Sequence, residues 1–185
     1  IASRGLGDVY KRQCYNCVDR HAETQPNEIA VIWEGDDTSK NKTYTYKELK
    51  SEVSKFANVL KKLGVQKGDV VTIYLTMIPE VAFAMLACAR IGAIHSVIFG
   101  GFAPESIAGR IKDCKSQFVI TADEGVRGGK IIPLKKYINT ALESCDSSIK
   151  TLVIQYTNTQ DELHKNNNFY YDELVKEVND QCAVS

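Results

Sequence analysis

Between residues 70 and 155 the chain repeats one pattern, and that pattern limits the folds open to it. Val70 to Leu75 (Val-Val-Thr-Ile-Tyr-Leu) is a short run apolar on both sides, as a parallel strand covered on both faces is. Pro79 then opens a helix at its first turn, with Glu80 at the positive end of the dipole. This helix is apolar nearly all round (Val81, Phe83, Met85, Leu86, Ile91), so both its faces should be covered. Gly92 ends it, and Ile94 to Phe99 reads as a second buried strand. A turn at Gly100 to Ala103, a helix from Pro104 to about Cys114 and a third strand over Gln117 to Thr121 follow. A third helix is expected over Ile132 to Ser144 and a fourth strand over Ile149 to Gln155. Strand–helix alternation at these spacings predicts βαβ crossovers: an α/β fold with a doubly wound, mainly parallel sheet and helices on both faces.

The flanking segments are read on local signals. From Cys14, Val18, His21 and Ala22 share one side of a short helix that Pro26 stops. Glu28 to Trp33 favours a strand, Gly35-Asp36-Asp37 a turn, and Lys42 to Tyr46 a half-exposed strand. Thr45 and Glu48 form a capping box for a helix whose apolar face is Leu49, Val53, Phe56, Leu60 and Leu63, with Gly64 as its stop. Tyr156 to Asn168 is polar and reads as a surface loop, and Tyr170 to Asp180 as a closing helix. Residues 1–13 carry three cations, two glycines and little periodicity; they are expected to be an unmatched leader, a scar rather than part of the fold.

Charge and cysteine usage narrow the function classes. The chain has 23 Lys+Arg and 23 Asp+Glu among 185 residues, and this balance speaks against a nucleic-acid or membrane-surface partner. The longest uncharged apolar run, Val81 to Ala89, is too short to span a bilayer. Six cysteines fall short of a disulfide scaffold, which suits a reducing compartment, the cytoplasm or an organelle. Cys14 and Cys17 form a Cys-x-x-Cys pair without a second pair, and no strand precedes it, so two helical cysteines near the core are the better reading than zinc or redox chemistry. His21, His95 and His164 share no ligand spacing, and His95 reads as a core histidine.

Two glycine-bearing loops carry the functional argument. Phe99-Gly100-Gly101-Phe102 follows a strand and precedes a helix, where an α/β sheet admits ligands; by itself it is as often a tight turn. Gly125-Val126-Arg127-Gly128-Gly129-Lys130 also follows a strand and puts two cations on a glycine-rich backbone, suited to a phosphate; the competing reading is a charged, solvated loop balanced by Asp123 and Glu124. Two such loops on one edge favour a nucleotide-type ligand.

Several segments, in order, resemble the acetyl-CoA synthetase family, the AMP-forming acetate–CoA ligases of the adenylate-forming superfamily. They are Tyr15 to His21, Ala30 to Asp36, Tyr46 to Leu49, Lys67 to Asp69, Pro79-Glu80, Ala84 to Phe102, Thr121 to Lys130 and Pro133 to Lys135. The resemblance runs from about Cys14 to about Asp180. It implies ATP, CoA and acetate as small-molecule substrates, Mg2+ in the full-length enzyme, Gly100 along the CoA path, and Arg127, Gly128, Gly129 and Lys130 around the 3′-phosphate of CoA. The family often has Arg where Lys130 stands; Lys keeps the charge and loses the two-pronged fork. The phosphate loop ending Pro-Lys-Gly, the acetate pocket and the adenylation lysine of the family have no match here.

The resemblance therefore implies residues 14–40 as an N-terminal segment of the family and 41–185 as part of its ligase domain, inactive alone, with no catalytic residue of its own. A ligase for propionate or another short acyl group, and a non-catalytic module binding CoA or a nucleotide, are the alternatives.

Overall fold

The computed structural model describes residues 13–159 and 167–184. A π-helical turn over Tyr15–Asp19 leads into α1 (Arg20–Thr24). Strands β1 (Ile29–Trp33) and β2 (Lys42–Thr45) then pair antiparallel as a ribbon of their own. Thr45 and Glu48 close the expected capping box at the start of α2 (Tyr46–Lys62). Its core-facing residues, among them Leu49, Val53, Phe56 and Leu60, are buried, and Gly64 leaves the helix at φ 97°.

The main sheet contains β3 (Val70–Leu75), β4 (Ile94–Phe99), β5 (Phe118–Ala122), β8 (Lys150–Ile154) and β9 (Asn168–Tyr170). Their spatial order is β4-β3-β5-β8-β9, and every pairing is parallel. The crossovers are α3 (Pro79–Ile91), α4 (Pro104–Asp113) and α5 (Leu134–Leu142). The chain steps from β3 to β4 in one direction and from β4 past β3 to β5 in the other. Right-handed crossovers then put α3 on one face and α4 with α5 on the opposite one. The α/β, doubly wound class is thus the one observed. No residue of α3 is exposed, as its all-round apolarity required, and Gly92 ends it in the left-handed region at φ 72°.

Four expectations change. Ile94 to Phe99 is an edge strand rather than a buried one: Ile94, Val97 and Phe99 are 56%, 46% and 51% exposed. Apolar composition announces a strand and cannot announce its place in the order. His95 is accordingly half-buried instead of a core residue, and desolvation pushes its imidazole below the ordinary value. Asn168 belongs to a fifth strand, and the closing helix shrinks to α6 (Tyr171–Leu174) followed by a 3-10 turn over Val175–Glu177. The third helix starts at Leu134, because Ile132 belongs to a hairpin, β6 (Gly125–Arg127) with β7 (Lys130–Ile132), where a loop was expected. The leader reading lies outside the described residues except for Gln13, as do His164 and residues 160–166 of the polar loop.

Candidate functional site at the carboxyl edge of the sheet

The order β4-β3-β5 reverses the direction of winding at β3, and the crevice beyond the carboxyl ends of such strands is where open α/β sheets receive ligands. Both glycine-bearing loops lie there. Gly100 is buried at the end of β4, and a Cβ on it would stand 2.6 Å from the carbonyl oxygen of Leu75. The glycine therefore first serves the close approach of the β4 turn to the end of β3. Tyr74 pins that turn from below, its hydroxyl donating to the carbonyl of Phe102 at 3.1 Å. Burial pushes this phenol up to about 12, so it stays a donor.

The second loop is a two-residue hairpin. Gly128 and Gly129 take φ 57° and 72°, and positive φ at both central positions is what a turn matching the strand twist needs. The register sets Arg127 directly opposite Lys130, so both cations project from one face and both are exposed. Like charges directly opposite are destabilising. Among the described residues neither takes part in a salt bridge. Arg127 instead lies over the Phe99 ring, 5.0 Å from its centroid, which joins the hairpin to the first loop. The root of the hairpin is fixed too: a Cβ on Gly125 would come within 2.3 Å of Thr76 Cγ2.

The acids preceding the hairpin do not balance it. Asp123 is buried, and its carboxylate accepts the backbone N–H groups of Tyr156, Thr157 and Thr159 at 2.9 to 3.2 Å. Glu124 accepts the hydroxyls of Thr157 and Thr159 at 2.9 and 3.0 Å. Both carboxylates are spent on ordering the turn after β8 and pair with neither Arg127 nor Lys130.

Between these parts lies a cavity of about 460 Å³ whose walls include Trp33, Thr76, Met77, Phe99, Arg127 and Tyr156. Trp33 is held in its wall by Nε1 donating to the carbonyl of Met77 at 2.7 Å. Burial pushes the Tyr156 phenol above its ordinary value. Of the residues singled out in the sequence, Gly100 and Arg127 line this cavity. Gly129 lines a neighbouring one of about 250 Å³, and Gly128 and Lys130 stand exposed at the hairpin tip. Met77 and Tyr156 carry no signal of a site in the sequence, and Trp33 carries one only through its place in the segment Ala30 to Asp36. Among the described residues no three His, Cys, Asp or Glu side chains gather as metal ligands, and no helix is long and apolar enough to cross a membrane.

The sequence pattern of the family described as AMP-binding enzyme matches residues 18–184, and the chain belongs to that family. Within it, the chain is 53% identical over 185 residues to the acetyl-coenzyme A synthetase of Xanthobacter autotrophicus, covering 100% of this chain and 28% of the relative. It is 57% identical over 168 residues to that of a gamma-proteobacterium, EBAC31A08, covering 91% of this chain and 26% of the relative. The chain thus spans roughly a quarter of the length of these relatives. An acetoacetyl-CoA synthetase from Streptomyces lividans has the same fold, with a TM-score of 0.80 at 23% identity over 95% of this chain and 26% of that one.

Proposed function

We propose that the chain is part of an AMP-forming acetate–CoA ligase and supplies the wall that holds the 3′-phosphate of CoA. In that reaction an acetate oxygen attacks the α-phosphorus of ATP and pyrophosphate leaves. The CoA thiol sulfur then attacks the acetyl carbon, and AMP leaves. Arg127 and Lys130 would grip the 3′-phosphate, Gly128 and Gly129 would let their backbone approach it, and Gly100 would border the CoA path. The observation that carries the reading is the like-charged pair: two exposed cations face each other across a hairpin, and among the described residues neither forms a salt bridge. A phosphate dianion relieves that repulsion, and the pair occurs in a chain 53–57% identical to acetyl-coenzyme A synthetases. Acetate, ATP and Mg2+ are assigned to no residue of this chain. A cytoplasmic location accompanies the reading.

Calorimetry with CoA and dephospho-CoA tests it. The chain should prefer CoA by about 1–3 kcal/mol, the worth of charged hydrogen bonds, and Arg127→Ala with Lys130→Ala should remove the preference. Equal affinity for the two ligands defeats the assignment. The chain by itself should support no acetate-dependent pyrophosphate exchange.

A further inference from the structure

The connection between β1 and β2 sends one carboxylate to the hairpin. Asp36 Oδ2 accepts the N–H of Gly129 at 2.9 Å, across 93 positions of sequence. The connection itself is braced. Gly35 N–H donates to Asn41 Oδ1 at 3.1 Å, Ser39 N–H and hydroxyl both donate to Asp37 Oδ1, and Trp33 is anchored on Met77. Asp36 therefore acts from a fixed support.

The hairpin tip has no comparable packing. Apart from the adjoining residues of the turn, no atom among the described residues lies within 4 Å of where a Cβ on Gly128 or Gly129 would stand. Behind the tip lies the cavity of about 250 Å³, walled by Trp33, Asp36, Val126, Gly129 and Tyr156, so the tip has space to move into. Two adjacent glycines at positive φ are also the residues least restrained by their own sterics.

We infer that Asp36 is a positioning residue: by holding the Gly129 N–H it fixes the tip on which Arg127 and Lys130 face each other, and so sets how well that pair recognises a phosphate monoester. The inference rests on the anion-binding reading of the hairpin. A carboxylate beside an anion site repels the anion, so the value of Asp36 must lie in the geometry it imposes rather than in its charge. That separates two substitutions. Asn keeps an acceptor for the Gly129 N–H and drops the charge; Ala removes both.

The test measures CoA and dephospho-CoA binding to the whole chain and to its Asp36→Ala and Asp36→Asn variants, with amide exchange at Gly129 followed in each. Asp36 is exposed, so neither variant should disturb the core, and matching melting curves check this. Asp36→Ala should cut the preference for CoA by about threefold to tenfold and speed exchange at Gly129. Asp36→Asn should keep the preference and the protection. A preference unchanged in Asp36→Ala overturns the inference and leaves the phosphate reading standing. So does an Asp36→Asn variant that loses as much as Asp36→Ala. A wild-type chain without any preference removes the phosphate reading, and the inference falls with it.

Discussion

Arg90 and Asp19 form an ion pair almost wholly out of water: Nη2 lies 2.6 Å from Oδ2, with 1% and 8% of the two side chains exposed. The pair ties α3 to the π-helical turn at the start of the fold. Arg90 Nη1 also donates to the carbonyl of Cys182 at 2.6 Å, so the guanidinium gathers both ends of the described chain, while Lys50 Nζ approaches Asp19 Oδ1 at 3.4 Å and ties α2 to the same carboxylate. Breaking a buried pair from one side leaves an unpaired charge in a dry site, which costs far more than the pair contributes. Asp19→Ala should therefore lower unfolding stability by about 3–5 kcal/mol in urea titration. Replacing both residues with apolar ones of similar volume should cost less than that single change. A double variant no more stable than Asp19→Ala would show that the charges themselves are what the site needs.

What the sequence disclosed was whatever depends on near neighbours. The Thr45–Glu48 box, the helix-opening Pro79 and Pro104, and the stops at Gly64 and Gly92 are fixed by groups within a turn or two, and all stand where their chemistry put them. Strand order is not local: Ile94 to Phe99 and Val70 to Leu75 are both short, mainly apolar runs, yet the direction of each crossover makes one an edge and the other central. The hairpin at Gly125 to Ile132 was hidden because three-residue strands are too short to show an alternation. The two cations were legible, while their facing each other, and the wall made by Trp33, Met77 and Tyr156, come from parts of the chain joined only by folding.

The two kinds of glycine in the site should respond differently to alanine. At Gly100 the obstacle is backbone, 2.6 Å from the added Cβ, so the β4 turn must move away from the end of β3. Gly100→Ala should cost about 1–3 kcal/mol, the range of overpacking, and widen the cavity wall. At Gly128 nothing is in the way, and the cost is the left-handed φ of 57° alone, about 1–2 kcal/mol for a residue with a Cβ. Thermal unfolding gives both numbers, and amide exchange locates them: disturbance at Leu75 and Thr76 is expected from Gly100→Ala and not from Gly128→Ala.

The buried thiols make stability depend on alkaline pH. Burial pushes Cys14 up to about 11 and Cys88 up to about 12, from an unperturbed value of 9.0. As pH rises above 9 these thiols ionise first in the unfolded chain while the folded chain keeps its protons. Their contribution is thus complete below pH 9 and lost as pH rises toward 11 and 12. The loss should be about 3 kcal/mol for Cys14 and about 4 kcal/mol for Cys88 at most, read as a falling urea midpoint that flattens in a Cys14→Ala, Cys88→Ala variant. At pH 8 iodoacetamide should label exposed Cys17 and spare Cys14 and Cys88 until denaturant is added.

The free edge of β4 makes a prediction about association. Among the described residues β4 pairs on one side only, with β3, and it carries no charged residue and no proline that would deter another strand. Ile94, Val97 and Phe99 leave much of their apolar surface in water, beside Phe102 at 37% exposure. An edge of this kind is a template for a second chain, so the isolated chain should self-associate as its concentration rises. Ile94 stands at the amino end of β4, outside the cavity walls, so Ile94→Lys can place a charge on the edge without touching the candidate site. Sedimentation should show that variant monomeric over a wider concentration range, with CoA discrimination unchanged. A concentration dependence identical to that of the wild-type chain would locate the contact elsewhere.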